Sequence, residues 1–137
     1  MNDNQILQIL KSTRIIACVG LSTNPAKDSH SIAAYLKSQG YRVIPVNPTA
    51  EEILGEKSYP DLLSIPIKVD VVQVFRPPQD VPQIVEQAIQ IGAKVVWMQL
   101  DTGNPQAAQT AQAAGLQVVM ERCMRVEHRR LLGWMQS

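Results

Sequence analysis

Between Arg14 and Gly20 the chain reads Ile15-Ile16-Ala17-Cys18-Val19, without one polar residue. A strand with one wet face alternates apolar and polar positions. An unbroken apolar run of strand length is what burial on both faces of a parallel sheet demands. The run closes on a glycine, and small polar residues fill the loop Leu21 to Ser29. A helical pattern then begins near His30. Four further stretches read as strands, over 41–47, 69–75, 94–100 and 116–120. Helical patterns stand between most of them, so the fold class is α/β with a five-stranded parallel sheet.

The intervening segments carry their own punctuation. Ile6, Leu7, Ile9 and Leu10 give residues 4–12 a helical spacing. The helix after the first loop has Ser29 or Ser31 as candidate N-cap. Ile32, Ala33, Leu36 and Tyr35 are its sheet-facing positions, and Gly40 is its stop. Pro45 lies inside the second strand, which must be irregular or unpaired on that side. Residues 49–66 suggest a helical turn or two. A helix from about Asp80 to Ile91 tolerates Pro82 in its first turn and ends before Gly92. Asn104 and Pro105 open an alanine-rich helix that Gly115 ends. A basic helix, roughly Val126 to Trp134, closes the chain. Right-handed crossovers give one doubly wound α/β/α domain of three layers over residues 1–137, with expected strand order 3-2-1-4-5.

Length and charge narrow the functions. A chain of 137 residues suits one core, and a formal net charge of +1 advertises neither nucleic acid nor membrane. Three Tyr, two Trp and one Phe are too few for a base-stacking platform. No apolar run reaches the ~18 residues of a membrane span, and Met1 to Gln5 lacks the pattern of a signal peptide. A cytoplasmic location is expected. Cys18 reads as a buried hydrophobe. Cys123, among Arg122, Met124 and Arg125, reads first as an ordinary reduced thiol, although cationic neighbours favour thiolate. Two isolated His and two isolated Cys offer no metal-ligand spacing.

Ligands of open parallel sheets bind beyond the carboxyl ends of the strands, where the strand order reverses. With the expected order, the crevice falls between strands one and four. Gly20 to Lys27 would face Gln99 to Gly103 across it. Gly20 permits a tight turn and close approach of a ligand. Ser22, Thr23 and Asn24 supply donors, Lys27 a full charge, and the helix N-terminus a positive partial charge. The loop lacks the further glycines of G-x-G-x-x-G. Strand two ends in Val46-Asn47-Pro48 rather than in the acid that holds an NAD ribose. No G-x-x-x-x-G-K-[ST] occurs, so a P-loop is excluded. At the ends of strands two and three, Asn47-Pro48 and Phe75-Arg76-Pro77 are candidates for an adenine wall and a peripheral phosphate contact. His30 lacks an orienting base, His128 reads as a surface or interface residue of the basic helix, and Arg122, Arg125, Arg129 and Arg130 read as a solvated helix face.

Several segments together resemble a known family. They are Val19-Gly20-Leu21-Ser22, Gly40-Tyr41-Arg42-Val43-Ile44-Pro45-Val46-Asn47-Pro48, Asp70-Val71-Val72, Phe75-Arg76 and Gly92-Ala93-Lys94-Val95-Val96-Trp97-Met98-Gln99, with Cys123 and Glu127. The chain is similar to the small stand-alone CoA-binding proteins of bacteria. Their domain is like the N-terminal domain of succinyl-CoA synthetase α subunits. The resemblance implies a Rossmann-like fold that binds coenzyme A. The pyrophosphate would sit on Gly20, Leu21, Ser22, Thr23 and Asn24, with Lys27 as a phosphate contact. The adenosine end would lie towards Val46, Asn47, Pro48, Phe75, Arg76 and Pro77, and Gln99 would belong to the site. The synthetases carry their phosphohistidine in a second domain, so ligase activity does not carry over. Where the family commonly has glycine after Gln-Leu, this chain has Asp101; a carboxylate facing the pyrophosphate would repel it, so either Asp101 turns away, capping the next helix, or affinity is reduced.

Three functions follow. The first is non-catalytic binding of CoA or an acyl-CoA, as sensor, carrier or regulatory module, by a monomer or homodimer with a possible protein partner. The second is an NAD(P)-dependent oxidoreductase or nucleotide sensor. The third is a protein-interaction module with a vestigial ligand site and the Arg-rich C-terminal helix as its contact surface.

Overall fold

The structure, a computed structural model, describes residues 1–133. Its elements in chain order are α1 (Asp3–Ser12), β1 (Ile15–Val19), α2 (Asp28–Ser38), β2 (Arg42–Val46), β3 (Glu52–Ile53), β4 (Glu56–Lys57), β5 (Val71–Val74), α3 (Val81–Gln90), β6 (Val95–Met98), α4 (Pro105–Ala113), β7 (Gln117–Met120) and α5 (Met124–Leu131). A five-stranded sheet, parallel throughout, runs β2-β1-β5-β6-β7. Helices flank it on both faces. The core splits into two clusters: Val85, Ala88 and Ala111 lie on the α3/α4 side, and Ile6, Leu36 and Met124 on the α1/α2/α5 side.

The α/β class and the five strands stand as expected, but the strand order does not. Counting only the strands of the large sheet, the order is 2-1-3-4-5 rather than 3-2-1-4-5. The reason lies in two strands. Val71, Val72, Gln73 and Val74 of β5 are wholly buried, as only a central strand can be. Pro45 in β2 has no N–H, and its carbonyl points away from β1, accepting from the Tyr59 N–H at 3.0 Å. Within a strand a residue's nitrogen points the same way as its carbonyl, so the missing donor faces the sheet edge. An order with strand two inside would have placed that gap in the ladder.

The region 49–66 is not the helical turn or two expected of it. It holds the antiparallel β3–β4 hairpin and a 3-10 turn at Leu62–Ser64. The sharp turn at Leu54-Gly55 uses positive φ at both residues, +55° and +77°. At the amino end of the sheet, Asp70 Oδ2 accepts from the N–H groups of Arg14 and Ile15, each at 3.0 Å, and so ties the start of β1 to that of β5. Arg130 forms a bidentate pair with Asp3 at 2.7 and 2.8 Å and also meets Glu127, fastening α5 to α1. The expected basic helix thus spans Met124–Leu131, and Trp134 lies outside the described residues.

Candidate functional site

In an open parallel sheet the reversal of strand order leaves a crevice, because neighbouring crossovers leave on opposite faces. Here β1 leads to α2 on one face and β5 leads to α3 on the other, so the crevice lies between β1 and β5. A cavity of about 660 Å³ opens there, within the usual range for small-molecule sites. Of the residues singled out in the sequence, Gly20, Leu21, Ser22, Val46, Asn47, Pro48 and Arg76 line it together.

Gly20 sits at φ +92°, where an L side chain is strained, and its N–H donates to the Val46 carbonyl at 3.0 Å. A Cβ at this position would stand 2.9 Å from Arg76 Cδ and 3.3 Å from the backbone carbon of Phe75. The glycine therefore serves both the turn and the passage of the Arg76 side chain across the crevice floor. Asn47 locks the neighbouring strand end to the loop. Its Nδ2 donates to the Leu21 carbonyl at 3.0 Å, and its Oδ1 accepts from the N–H groups of Thr49 and Ala50 and from Thr49 Oγ1. An Asp or Glu in the NAD position would offer a ribose an acceptor. Asn47 instead spends its side chain on the scaffold.

The loop amides are less available than its composition suggests. Ser22 N–H donates to Ser29 Oγ, Asn24 N–H to Ser22 Oγ and Ala26 N–H to Asn24 Oδ1, all at 3.0 Å. Ser29 thus braces the loop rather than capping α2, which starts behind Lys27 with no side-chain cap bond. Thr23, Asn24 and Lys27 are exposed and stand outside the cavity lining, at the start of α2. The positive end of the helix dipole, with the Lys27 charge, remains as the attraction for an anion there.

Three further residues fall elsewhere. Phe75 packs against the α1/α2/α5-side cluster, whereas the cavity extends on the α3 side past Pro60, Leu62 and Ile84. It is therefore not part of the cavity wall expected of it. Pro77 precedes the 3-10 turn Pro78–Asp80 and is not in the lining. Gln99 is buried, and its Oε1 accepts from Gln73 Nε2 at 3.2 Å and from the Met124 N–H at 2.9 Å, which fixes the start of α5.

Of the two alternatives for Asp101, the fold favours the one in which it turns away, although Asn104 and not Asp101 caps the next helix. It follows β6, while the crevice lies between β1 and β5, and Asp101 is absent from the cavity lining. Its φ of +68° is a conformation glycine adopts freely. Its N–H donates to Glu121 Oε2 at 2.9 Å.

The cavity lining also contains four polar residues that the sequence pattern did not single out: Asp61, Asp80, Gln83 and Gln87. Gln83 and Gln87 flank Ile84 on one face of α3, at i, i+4 spacing. That spacing was visible, but the expected strand order put α3 beside a different crevice. Asp61 accepts from Ser64 N–H at 2.9 Å, and Gln87 Oε1 accepts from Leu62 N–H at 3.1 Å, so both shape the rim. Arg76 donates from Nε (3.1 Å) and Nη2 (2.8 Å) to Asp80 Oδ2.

Away from the cavity, burial governs the titratable groups. The Cys18 thiol, fully enclosed, is pushed far up and donates to Gln73 Oε1 at 3.1 Å. His128, expected at the surface or an interface, is instead buried against α2, which lowers its pKa, and its Nδ1 lies 2.8 Å from the Tyr35 hydroxyl. Among the described residues no helix is long and apolar enough to cross a membrane.

A doubly wound α/β domain with a glycine-ended first strand at its switch point defines a nucleotide-binding class. Comparison with known proteins narrows that class. The chain belongs to the CoA binding domain family, whose pattern matches residues 14–129. It is 37% identical over 124 residues to the uncharacterised protein YneT of Bacillus subtilis (strain 168), covering 90% of this chain and 92% of that one. A hypothetical protein from Pyrococcus horikoshii OT3 superposes with a TM-score of 0.95 at 48% identity, over 97% of this chain and 94% of that one. The ADP-forming acetate–CoA ligase II of Archaeoglobus fulgidus is 36% identical over 81 residues, which is 58% of this chain but only 12% of the ligase. The chain thus spans a small part of such ligases and nearly the whole of YneT.

Proposed function

We propose that this chain, acting as one domain over residues 1–137 in the cytoplasm, binds coenzyme A or an acyl-CoA and carries out no chemistry on it. The adenosine half occupies the cavity beside Val46, Asn47, Pro48, Leu62 and Ile84. The pyrophosphate rests near Gly20 to Ser22, within the field of the α2 N-terminus and Lys27. Thr23 and Asn24 lie at the outer side of that seat. Arg76 meets a phosphate of the adenosine half. Gln99 serves the ligand only indirectly, through the α5 start that it holds. The ligand's role is to be sensed, carried or buffered, by a monomer or homodimer with or without a protein partner.

The observation that carries this reading is the cavity at the β1/β5 switch point, floored by Gly20 and crossed by Arg76. Among the described residues, no nucleophile with an orienting base lines it. His30 lies in the first turn of α2, outside the lining, and the Cys18 thiol is enclosed. The internal bonds of Asn47 speak against the dinucleotide alternative. Isothermal titration with CoA, dephospho-CoA and NAD tests the proposal. Saturable heat with CoA and none with NAD is expected. A folded protein that gives no heat with CoA or dephospho-CoA overturns it.

A further inference from the structure

Arg76 is the one cation among the described residues that line the cavity, and it is already engaged. Asp80 Oδ2 takes both its Nε–H and an Nη2–H. Asp80 has no other task in view. It stands at the N-cap of α3 without a side-chain cap bond, and its carboxylate accepts only from Arg76. The other charged residue of the lining is Asp61, a second anion. A phosphorylated ligand therefore enters a cavity with two carboxylates and one guanidinium whose better fork is occupied.

The direction of Arg76 shows which part of a ligand it would meet. Its Cγ and Cδ lie over Gly20, 3.2 and 2.9 Å from where a Cβ would be. From there the guanidinium reaches Asp80, towards α3 and the Leu62–Ile84 side of the cavity. The α2 N-terminus, which attracts a pyrophosphate, lies on the other face of the sheet. The adenosine half of CoA carries one phosphate beyond the diphosphate, the ribose 3′-phosphate.

We infer that Asp80 is a built-in competitor for the ribose phosphate. It stores Arg76 while the site is empty, gives it up to the ligand, and so limits how strongly the site prefers a 3′-phosphorylated ligand. This rests on the CoA-binding reading above. The exchange is easy because the pair is half-exposed, with side chains 51% and 41% accessible, and exposed pairs are weakly held. A phosphate offers the same fork two oxygens in a bidentate geometry, where Asp80 offers one. The displaced carboxylate then remains beside the phosphate and repels it.

The test is titration of CoA and dephospho-CoA into the wild type, Asp80→Asn and Arg76→Gln. The asparagine substitution keeps the size of the side chain at a half-exposed position, and Asp80→Ser provides a second variant should the amide replace the carboxylate as acceptor. We expect Asp80→Asn to tighten CoA about fivefold, equivalent to about 1 kcal/mol, and dephospho-CoA less than twofold. Arg76→Gln erases the difference between the two ligands. A CoA to dephospho-CoA ratio in both Asp80 variants within twofold of wild type overturns the inference alone. Weaker CoA binding in those variants also overturns it, because Asp80 would then be positioning Arg76. Binding of neither ligand by folded wild type overturns the function proposed above, and this inference with it.

Discussion

Gly20 and Gly40 allow conformational strain and spatial exclusion to be measured separately. Both have positive φ, +92° and +98°. A Cβ at Gly40, just past the C-cap of α2, meets nothing within 4 Å. Gly40→Ala therefore carries only the left-handed strain, about 1–2 kcal/mol, partly offset by the lower entropy of the unfolded alanine chain. We expect a net loss of about 1 kcal/mol. Gly20→Ala carries the same strain plus a collision, 2.9 Å to Arg76 Cδ and 3.3 Å to the backbone carbon of Phe75. The arginine stem can swing away, but the backbone of a central strand can shift only a few tenths of an ångström. Overpacking of this kind adds about 1–2 kcal/mol, for a total near 2–3 kcal/mol. Urea unfolding at equal slope should show Gly20→Ala shifted about two to three times as far as Gly40→Ala. The swing also takes Arg76 off the crevice floor, so CoA affinity should fall about tenfold or more in Gly20→Ala and stay unchanged in Gly40→Ala. Equal destabilisation by the two variants, or full CoA affinity in Gly20→Ala, would refute the reasoning.

Two other perturbations have defined signs. Asp101→Gly relieves an αL residue and should stabilise by about 0.5–1 kcal/mol, raising Tm by about 2–4 °C in a calorimetric scan. CoA affinity should not change, and a marked gain would return Asp101 to the ligand site. His128 has its folded pKa depressed by burial, so the unfolded chain takes up a proton first on acidification. Its contribution is complete above the unfolded pKa of about 6.5 and is lost as pH falls from there towards the folded value. Urea midpoints at pH 7.5 and 5.5 should therefore differ more in wild type than in His128→Asn; an equal difference would show that other groups carry the acid sensitivity.

The alternation of apolar runs and amphipathic segments was enough to place five strands and the helices between them, because burial on both faces leaves a plain pattern. The caps at Asn104 and the proline in the first turn of α3 were equally legible, since each acts within one turn of chain. The strand order was not, although Pro45 pointed to an edge and the valine-rich β5 to the centre. Neighbour choice depends on which faces the helices cover, and that information is spread over the whole chain. The error carried into the site. Gly20, Ser22, Asn47, Pro48 and Arg76 were recognisable because they sit at strand ends, which face the crevice in either order. Asp80, Gln83 and Gln87 escape the sequence pattern, and Gln99 and Asp101 fall beside the expected crevice but not the observed cavity, because the expected order puts the crevice between β1 and β6. The roles of Ser29 and Asn47 as braces could not be read from composition, since a polar loop residue can bond to its own backbone as readily as to a ligand.

The most direct test of the account is the change in backbone amide resonances when CoA is added to the isotopically labelled protein. The account predicts the largest shifts at Gly20 to Thr23, Asn47 and Arg76, with smaller ones along the Gln83–Gln87 face of α3, and little change at Asp101 to Asn104. Shifts concentrated at the ends of β6 and β7, or none at saturating CoA, would contradict it.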